Sequence, residues 1–339
     1  MTRTINIGII GAGRIGRVHG ENLAFRIPGA RILAVSDIAF EFAEKLAADL
    51  AIPGAFRDHR PIMEDRRIEA VLVCSNTDTH VQMIEEAAAA GKHIFCEKPI
   101  ALGLAQIDHA LKAVDEAGVK LQIGFNRRFD PSFRRVRNLV ASGEIGIPHL
   151  LRITSRDPQP PPIPYLRASG GIFLDMTVHD FDMARYQMGE VETVCAAGAV
   201  LVDREIGEAG DIDTAVVLLR FSSGALGVID NSRRAVYGYD QRLEVFGSAG
   251  VAMAGNQTPD TVVHSNAGGV HSARPLHFFM TRYTESYVAE IREFIQCIVN
   301  DQTPPVTGKD GRMSVVMGYA ALKSFKENRT VRLSEIAAI

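Results

Sequence analysis

The stretch Ile5-Asn6-Ile7-Gly8-Ile9-Ile10-Gly11-Ala12-Gly13-Arg14-Ile15-Gly16 decides the fold of the first third of this chain. Its apolar half predicts a strand, and its glycines fall where a helix should begin. The first glycine permits a tight turn, the second lets the backbone approach a pyrophosphate, and the third lets the helix pack on the strand. The amino end of that helix attracts phosphates. A glycine-rich turn without a ligand is the alternative, but the strand and helix around it favour dinucleotide binding.

Residues 5–124 continue this alternation of strand and helix with short connections. The predicted strands are Ile5–Ile10, Ile32–Ser36, a weaker one near Ala55-Phe56, Ala70–Cys74, His93–Cys96 and Leu121–Gly124. The predicted helices include Phe40–Asp49, Thr79–Ala90 and Leu104–Ala117. Such alternation implies a parallel sheet flanked by helices. We therefore expect an α/β, Rossmann-type domain in residues 1–124.

The pattern changes after Gly124 and predicts a second, α+β domain in residues 125–339. Strands are expected at His149–Ser155, Thr193–Val202, Thr214–Phe221, Ala225–Ser232 and Arg242–Phe246, and helices at Pro131–Ser142, Leu174–Met188, Thr284–Val299 and Lys309–Lys326. The proline run from Pro158 to Pro164 should form neither helix nor sheet interior. Ser222-Ser223-Gly224 predicts a hairpin turn, so the sheet should be large, open and mostly antiparallel. One face would be covered by helices and the other used for subunit association.

The bulk composition indicates an ordinary globular protein. Of its 339 residues, 46% are hydrophobic and 23% charged, and the formal net charge is -3. This gives no basic surface for nucleic acid and no patch for a membrane. No secretory signal is visible at the start of the chain. Four widely spaced cysteines form no Cys-x-x-Cys pair, so reduced thiols in a cytoplasmic protein are expected.

Two further stretches are suited to the cofactor. Asp37 ends the second predicted strand, where a carboxylate accepts hydrogen bonds from the adenosine ribose and repels a 2′-phosphate. That favours NAD over NADP, although a helix N-cap would also explain the residue. The polar run from Ser75 to His80 suits the nicotinamide side of a cleft. Capping by Thr77 or Asp78, and a plain helix-face histidine at position 80, are the alternatives.

Lys98 directly follows the fifth predicted strand. Ligands of open α/β sheets bind beyond the carboxyl ends of the strands, so this amine should point towards the reactive end of a cofactor. A lysine there can polarise or hold an oxygen atom while the dinucleotide exchanges hydride.

Asp175 and His179 lie four residues apart on a predicted helix. A histidine with an ordinary pKa of about 6.5 suits removal of a proton from an alcohol, and a carboxylate one turn earlier can orient it. Spacing alone favours a plain ion pair on a solvated helix. A metal site that adds Asp182 lacks a convincing further ligand, so no metal is expected.

Taken together, these residues resemble the glucose–fructose oxidoreductase / inositol dehydrogenase / MocA family. The likeness covers essentially the whole chain, and its family-level motifs are specific. The matching segments are Gly11–His19 (a GxGxxGxxH start), Glu97-Lys98-Pro99, Gly124–Pro131, Ser155–Pro158, Gly170–Arg185 and Tyr237–Arg242. The last three are similar to inositol 2-dehydrogenases.

The resemblance implies a catalytic group of Lys98, Asp175 and His179, which converge beside the nicotinamide. His179 would take the hydroxyl proton, with Lys98 as the competing acceptor, and Asp175 would hold the other two. The implied substrate contacts are Lys98, Arg127, Asp157, Asp175, His179 and Tyr239. The implied NAD contacts are Gly11, Gly13, Arg14, Ile15, Gly16, Asp37, Ser75, Asn76, Thr77, His80, Glu97 and Lys98. A cis Lys98-Pro99 bond and a homotetramer formed through the second domain's sheet are also implied.

The implied activity is that of an NAD-dependent inositol 2-dehydrogenase, which oxidises myo-inositol to its 2-ketone. Asn126, where related inositol enzymes often carry an apolar residue, leaves the isomer open. Another cyclitol or an aldose is therefore an alternative substrate. An NAD-dependent glycoside hydrolase and a non-enzymatic dinucleotide sensor are alternatives from other classes.

Overall fold

A computed structural model describes residues 3–337 of the chain, which fold as two compact units. The first unit runs up to Phe129 and also contains Glu285–Met313, and the second contains Asp130–Thr284 and the residues from Ser314 onward. The sequence divides the chain at residue 124 instead. Residues 285–313 are distant in sequence from the first unit, and only their packing assigns them to it.

The first unit is built on a six-stranded parallel sheet with strand order β3-β2-β1-β4-β5-β6. Its strands are β1 (Ile5–Ile10), β2 (Ala30–Ser36), β3 (Gly54–Phe56), β4 (Ala70–Val73), β5 (His93–Glu97) and β6 (Leu121–Gly124). The helices between them are α1 (Arg14–Phe25), α2 (Phe40–Leu50), α3 (Arg60–Glu64), α4 (Thr77–Ala89) and α5 (Leu104–Ala117). A 3₁₀ turn, Asn126–Phe129, follows β6. The predicted Rossmann-type sheet is confirmed, with boundaries shifted by one or two residues.

The core of this unit explains why residues 285–313 belong to it. All four residues of β4 are buried, as expected of a strand covered on both faces. Helix α12 (Thr284–Val299) contributes one apolar stripe to the same core as β1, β2, β4 and β5. That stripe consists of Val288, Ile291, Phe294, Ile295 and Ile298. Its spacing of three and four residues is that of one helix face, so the helix is amphipathic.

The second unit is built on a seven-stranded sheet with order β12-β11-β7-β10-β9-β8-β15. Its strands are β7 (Pro148–Arg156), β8 (Val191–Ala199), β9 (Thr214–Phe221), β10 (Leu226–Ser232), β11 (Asp240–Gly247), β12 (Gly250–Ala254) and β15 (Val331–Arg332), with a separate hairpin of β13 (Val263–Asn266) and β14 (Gly269–Ser272). Its helices are α6 (Pro131–Ala141), α7 (Ile163–Ser169), α8 (Ile172–Asp175), α9 (Thr177–Met188), α10 (Arg204–Glu208), α11 (Phe279–Arg282) and α14 (Ser334–Ala337), and α13 (Gly308–Glu327) ends in it. Of the described strands in this sheet, only β7 and β10 pair in parallel, so the mostly antiparallel prediction is confirmed.

Alternation along β9 shows that the sheet has two different faces. Ala215, Val217, Leu219 and Phe221 are buried, whereas the residues between them are half-exposed or exposed. Period-two burial of this kind is typical of an antiparallel sheet with one covered face.

Three sequence-based expectations for the second unit are wrong in detail. The helix predicted at Leu174–Met188 is two helices, α8 and α9, which are separated at Met176. Pro164 lies in the first turn of α7, where its missing N–H costs no helical hydrogen bond. The strand predicted to reach Val202 ends at Ala199.

Two further expectations concern cysteines and membranes. Cys74, Cys96, Cys195 and Cys297 are all free thiols, as predicted. Within residues 3–337, no helix combines the length and apolar character required to cross a bilayer.

Candidate active site

The turn between β1 and α1 leaves no room for side chains at two of its glycines. Gly11 has φ +97°, and an added Cβ would lie 2.6 Å from backbone atoms of Cys74 and Ser75. A Cβ on Gly16 would lie 1.9 Å from the carbonyl oxygen of Gly11. These two residues must be glycine for the turn and the helix to approach each other.

Gly13 is different, because a Cβ there would meet none of the described atoms within 4 Å. It is the N-cap of α1, it supplies no side-chain cap, and the first turn of the helix carries no acidic residue. The first N–H groups of a helix have no intrahelical acceptor and carry partial positive charge. The turn therefore offers open space and donors to an anion, which fits a dinucleotide pyrophosphate.

Asp37 follows β2 and is tied to this turn. Its Oδ2 accepts a hydrogen bond of 2.7 Å from the Ala12 amide, and its Oδ1 accepts one of 2.9 Å from the Ala39 amide. The carboxylate thus braces both the glycine turn and the start of α2. Asp37 therefore has a structural role at the same position where the sequence predicts a carboxylate that binds the adenosine ribose.

His80 joins the segments that follow β4 and β5. The residue is 1% exposed, with Nδ1 2.8 Å from the Pro99 carbonyl and Nε2 3.0 Å from the Ser75 carbonyl. Burial lowers the pKa of this imidazole despite those contacts. The plain helix-face alternative for His80 is wrong, because the histidine is an internal brace. Asn76 precedes α4, and Ser75 Oγ lies 2.7 Å from Thr79 Oγ1.

Glu97 ends β5 and precedes Lys98, whose bond to Pro99 is cis as the resemblance implies. One carboxylate oxygen of Glu97 lies 2.7 Å from Nε2 of His19, which is fully buried. A Cβ on Gly124, the register partner of Glu97 in β6, would lie 2.9 Å from the other oxygen. The Glu97 carboxylate therefore bonds to His19 on one side and lies close to the Gly124 backbone on the other, and the next residue is the half-buried Lys98.

In the second unit, Asp175 is the last residue of α8, and its carboxylate contacts two polar side chains. Tyr165 Oη donates a hydrogen bond of 2.7 Å to Oδ1, and Arg233 Nη1 lies 3.3 Å from Oδ2. Burial, followed by the charge of Asp175, raises the pKa of the Tyr165 hydroxyl, so it stays a donor. Arg233 also lies 3.4 Å from Asp211, whose Oδ1 accepts the Ile172 amide at the start of α8.

His179 lies in the first turn of α9 and is half-buried. The helix around it is covered on most sides, and Asp180 and Asp182 are both 0% exposed. The solvated ion-pair helix that spacing alone favoured is therefore wrong. Asp175 and His179 belong to a buried polar environment, which is more typical of a functional site than of a helix surface.

The remaining predicted contacts lie in three different segments. Arg127 is 5% exposed in the 3₁₀ turn of the first unit. In the second unit, Asp157 follows β7, and its amide and carbonyl bond to Ser232 and Ala235. Tyr239 is 5% exposed and packs edge-on against Tyr283 at a centroid distance of 6.1 Å.

Arg233 and Tyr165 are the site residues that the sequence reasoning missed. The signal for Arg233 was available, because Gly227, Ile229 and Asn231 are the buried positions of β10 and residue 233 continues their alternation. Its neighbour Arg234 falls on the exposed side. Tyr165 carried no such signal, since it follows a proline run with no periodicity.

A cavity of about 610 Å³ lies elsewhere in the second unit. It contains none of the predicted catalytic residues. Its lining is Pro158, Gln159, Pro160, Pro161, Pro162, Ile163, Asp203, Ile206, Arg234 and Val236.

Two family models match the chain and together cover most of its length. Residues 5–125 match the oxidoreductase family with an NAD-binding Rossmann fold. Residues 133–253 match the GFO/IDH/MocA C-terminal domain.

Relatives match over nearly the whole chain. A myo-inositol 2-dehydrogenase of Thermotoga maritima is 53% identical, covering 98% of this chain and 99% of its own length. An inositol 2-dehydrogenase of Rhizobium meliloti is 46% identical, covering 98% and 100%. Among solved structures, a myo-inositol dehydrogenase from Corynebacterium glutamicum is 40% identical, with TM-score 0.94 and coverage of 97% and 99%. A Lactobacillus casei scyllo-inositol dehydrogenase with NAD(H) and scyllo-inositol bound is 30% identical, with TM-score 0.90 and coverage of 98% and 100%.

Proposed function

This chain belongs to the GFO/IDH/MocA oxidoreductase family, and on that premise we propose that it is an NAD-dependent inositol 2-dehydrogenase. It oxidises myo-inositol to its 2-ketone, 2-keto-myo-inositol. The full-length likeness to inositol 2-dehydrogenases carries this proposal, since 53% identity spans both units. A cytoplasmic role in inositol catabolism belongs to the same proposal.

The chain's own residues fit NAD at the glycine turn. Gly11 and Gly16 bring backbone elements together, and Gly13 leaves the space and the amide donors that a pyrophosphate needs. Asp37, already braced by the Ala12 amide, accepts the ribose hydroxyls and disfavours NADP. The other proposed contacts are Arg14, Ile15, Ser75, Asn76, Thr77, His80, Glu97 and Lys98.

In the proposed reaction, NAD supplies the hydride acceptor and side chains handle the proton. His179 accepts the proton of the reacting hydroxyl, which a histidine can do near neutral pH. Lys98 donates a hydrogen bond to the same oxygen, and Asp175 orients the acid–base pair. Arg233 and Tyr165 hold the Asp175 carboxylate. Arg127, Asp157 and Tyr239 contact the remaining ring hydroxyls.

The test is NADH absorbance with NAD and a panel of myo-inositol, scyllo-inositol, other inositols, glucose and nitrophenyl glycosides. The proposal requires NADH formation with an inositol, with the highest kcat/KM for the myo isomer. A higher value for another cyclitol or an aldose would move the substrate and keep the chemistry. Nitrophenol release without net NADH would replace the dehydrogenase by a hydrolase that recycles its cofactor.

Arg233→Met should weaken the second unit as well as the reaction. Arg233 is 1% exposed and faces two carboxylates, Asp175 and Asp211. Removing one partner of a buried ionic group leaves uncompensated charge, so the free energy of unfolding should fall by about 3 kcal/mol. The neighbouring Arg234→Met is the matched control, because Arg234 is exposed and should change that energy by less than about 0.5 kcal/mol. Equal effects of the two variants in urea unfolding would show that Arg233 does not support Asp175.

We also propose a homotetramer formed through the open face of the seven-stranded sheet. Along the strands, residues on this open face alternate with buried residues. Six large apolar side chains on the open face are between 45% and 65% exposed. They are Val216, Leu218, Leu226, Phe246, Val251 and Met253. Large exposed apolar side chains grouped on one sheet face are typical of an association site.

Leu218→Asp should therefore dissociate the tetramer. Leu218 is 54% exposed and lies beside Val228 in the sheet register, so a carboxylate there would be buried among apolar groups on association. Light scattering after size exclusion should show smaller species. Phe25→Asp, at a 73% exposed position at the end of α1, should remain tetrameric. A wild-type monomer, or an unchanged L218D mass, would remove this interface.

A further inference from the structure

The strongest feature outside the proposed catalytic group is a buried polar cluster in the first unit. His19 of α1, Glu97 of β5 and Glu290 of α12 each offer a polar atom, and these atoms all lie within 4.8 Å of one another. His19 and Glu290 are 0% exposed, and the Glu97 side chain is 13% exposed. Two carboxyl groups therefore share a largely dry space with one imidazole.

The polar atoms of these three side chains differ in whether they have hydrogen-bond partners. Glu97 has His19 Nε2 at 2.7 Å, so an Nε2–H donor faces one of its oxygens. Within residues 3–337, neither oxygen of Glu290 has a hydrogen-bond partner, and Nδ1 of His19 also has none. A buried carboxylate without a donor is among the costliest groups in a protein interior, whereas the neutral acid costs far less.

Burial and the charge of Glu97 both disfavour ionisation of the Glu290 carboxyl, and no cation of the described residues offsets them. One turn earlier on α12, Ser286 Oγ is buried without a partner in the described chain, and the Gln122 amide of β6 donates to the Glu290 backbone rather than to its side chain. The titratable side chains that contact this cluster or interact with its charge include Cys74, Cys96 and Tyr287. Burial raises the pKa of both thiols, which keeps them uncharged near neutral pH.

We propose that Glu290 is a neutral carboxylic acid in the folded protein and acts as a positioning residue for the Glu97 carboxylate. A single negative charge then resides on Glu97, where His19 can hold it. Ionisation of Glu290 would place a second negative charge close to the first and push the two carboxylates apart. Because Glu97 directly precedes Lys98, its displacement would disturb the residue assigned to the reacting oxygen, and this last step rests on the proposed function.

The sign of the resulting pH dependence follows from the direction of the shift. Burial, followed by the charge of Glu97, raises the pKa of the Glu290 carboxyl well above its ordinary value of 4.5. The folded chain therefore binds a proton that the unfolded chain releases above pH 4.5. The contribution of Glu290 to stability is fully present below that pH and is lost progressively as pH rises towards the folded pKa.

Glu290→Gln tests this directly, because the amide keeps the shape and cannot ionise. We expect the melting temperature of E290Q to exceed that of the full-length wild type by about 3 °C or more at pH 8.5, with a smaller difference at pH 5. A lower E290Q melting temperature at pH 8.5 would overturn the proposal, since it would mean that a charged Glu290 is stabilising.

Asp213→Asn is the matched control, because Asp213 is a buried carboxylate whose pKa is lowered and not raised. Asp213 is 0% exposed and accepts the amides of Leu201, Val202 and Asp203 at 2.8 to 3.0 Å. Burial opposes its ionisation, but those amides outweigh burial and lower the pKa of Asp213. D213N should therefore melt below wild type at pH 8.5, which shows that the measurement distinguishes the two signs.

Two further readouts separate this role from a metal site and from passive packing. Metal analysis of the wild type, before and after incubation with Zn²⁺ or Mn²⁺, should find no bound equivalent. One equivalent that disappears in E290Q would overturn the proposal in favour of a His19–Glu97–Glu290 metal site.

The ratio of kcat at pH 9 to kcat at pH 7 should be about threefold higher or more in E290Q, because the variant cannot ionise there. An unchanged ratio would remove the positioning role. If neither protein reduces NAD with any polyol, the proposed function fails, and the melting comparison still decides the protonation of Glu290.

Discussion

His179→Ala should lower kcat by about a hundredfold or more while the Kd for NADH stays within about twofold. A positioned general base contributes about 10² to 10⁴ to the rate, and alanine leaves no group at position 179 to accept the hydroxyl proton. The glycine turn that fits the cofactor is in the other compact unit, so the nucleotide contacts stay intact. Stopped-flow absorbance and NADH fluorescence titration measure the two quantities separately.

A matched histidine makes the result interpretable. His109 on α5 has a side chain that is 74% exposed and pairs with Glu85, and neither residue is assigned to the reaction, so His109→Ala should leave turnover unchanged. Equal loss of NADH affinity and turnover in H179A would mean that His179 is structural. Wild-type turnover in H179A would leave Lys98 as the proton acceptor.

Substitutions at Gly13 and Gly16 should fail in different ways although the residues lie three positions apart. Gly16→Ala places a Cβ 1.9 Å from the Gly11 carbonyl, a backbone atom that cannot rotate away. Separating α1 from the turn should cost about 3 kcal/mol of unfolding free energy, at the upper end for overpacking. Urea unfolding should show this loss without any ligand present.

Gly13→Ala should instead leave the protein folded and weaken cofactor binding. An added methyl there meets none of the described atoms within 4 Å and the backbone φ is −68°, so alanine is tolerated in the free chain. It occupies the space assigned to the pyrophosphate, and the Kd for NADH should rise by about tenfold or more. Unchanged NADH affinity in G13A would show that the cofactor does not approach this turn.

The first unit was the more predictable because its signals are local. The strand Ile5–Ile10 and the helix Leu104–Ala117 have the predicted boundaries, since apolar periods and glycine stops lie within the elements themselves. Membership of α12 in the same core was not predicted. Its apolar stripe indicates that one face of the helix packs against another element, but the spacing of the apolar residues does not identify that element.

The candidate site also combines residues that the sequence predicts with an environment that only the tertiary structure shows. The position of Lys98 after the fifth predicted strand already indicated a functional role, and the family motifs added Asp175 and His179, for which spacing alone favoured an exposed ion pair. In the structure Asp175 and His179 are half-buried, and tertiary packing buries their neighbours Asp180 and Asp182 on α9. Arg233 and Arg234 are adjacent and chemically identical, and the alternation that continues beyond β10 directs Arg233 inward to Asp175.

By itself, the sequence determined the order of the elements and the turn that fits NAD, because both depend on neighbours along the chain. Only the tertiary structure decided that Glu290, from a helix almost 200 positions after Glu97, shares a buried space with it. The protonation of a carboxyl group depends on its solvent exposure and on nearby charges, and both are set by contacts between distant segments.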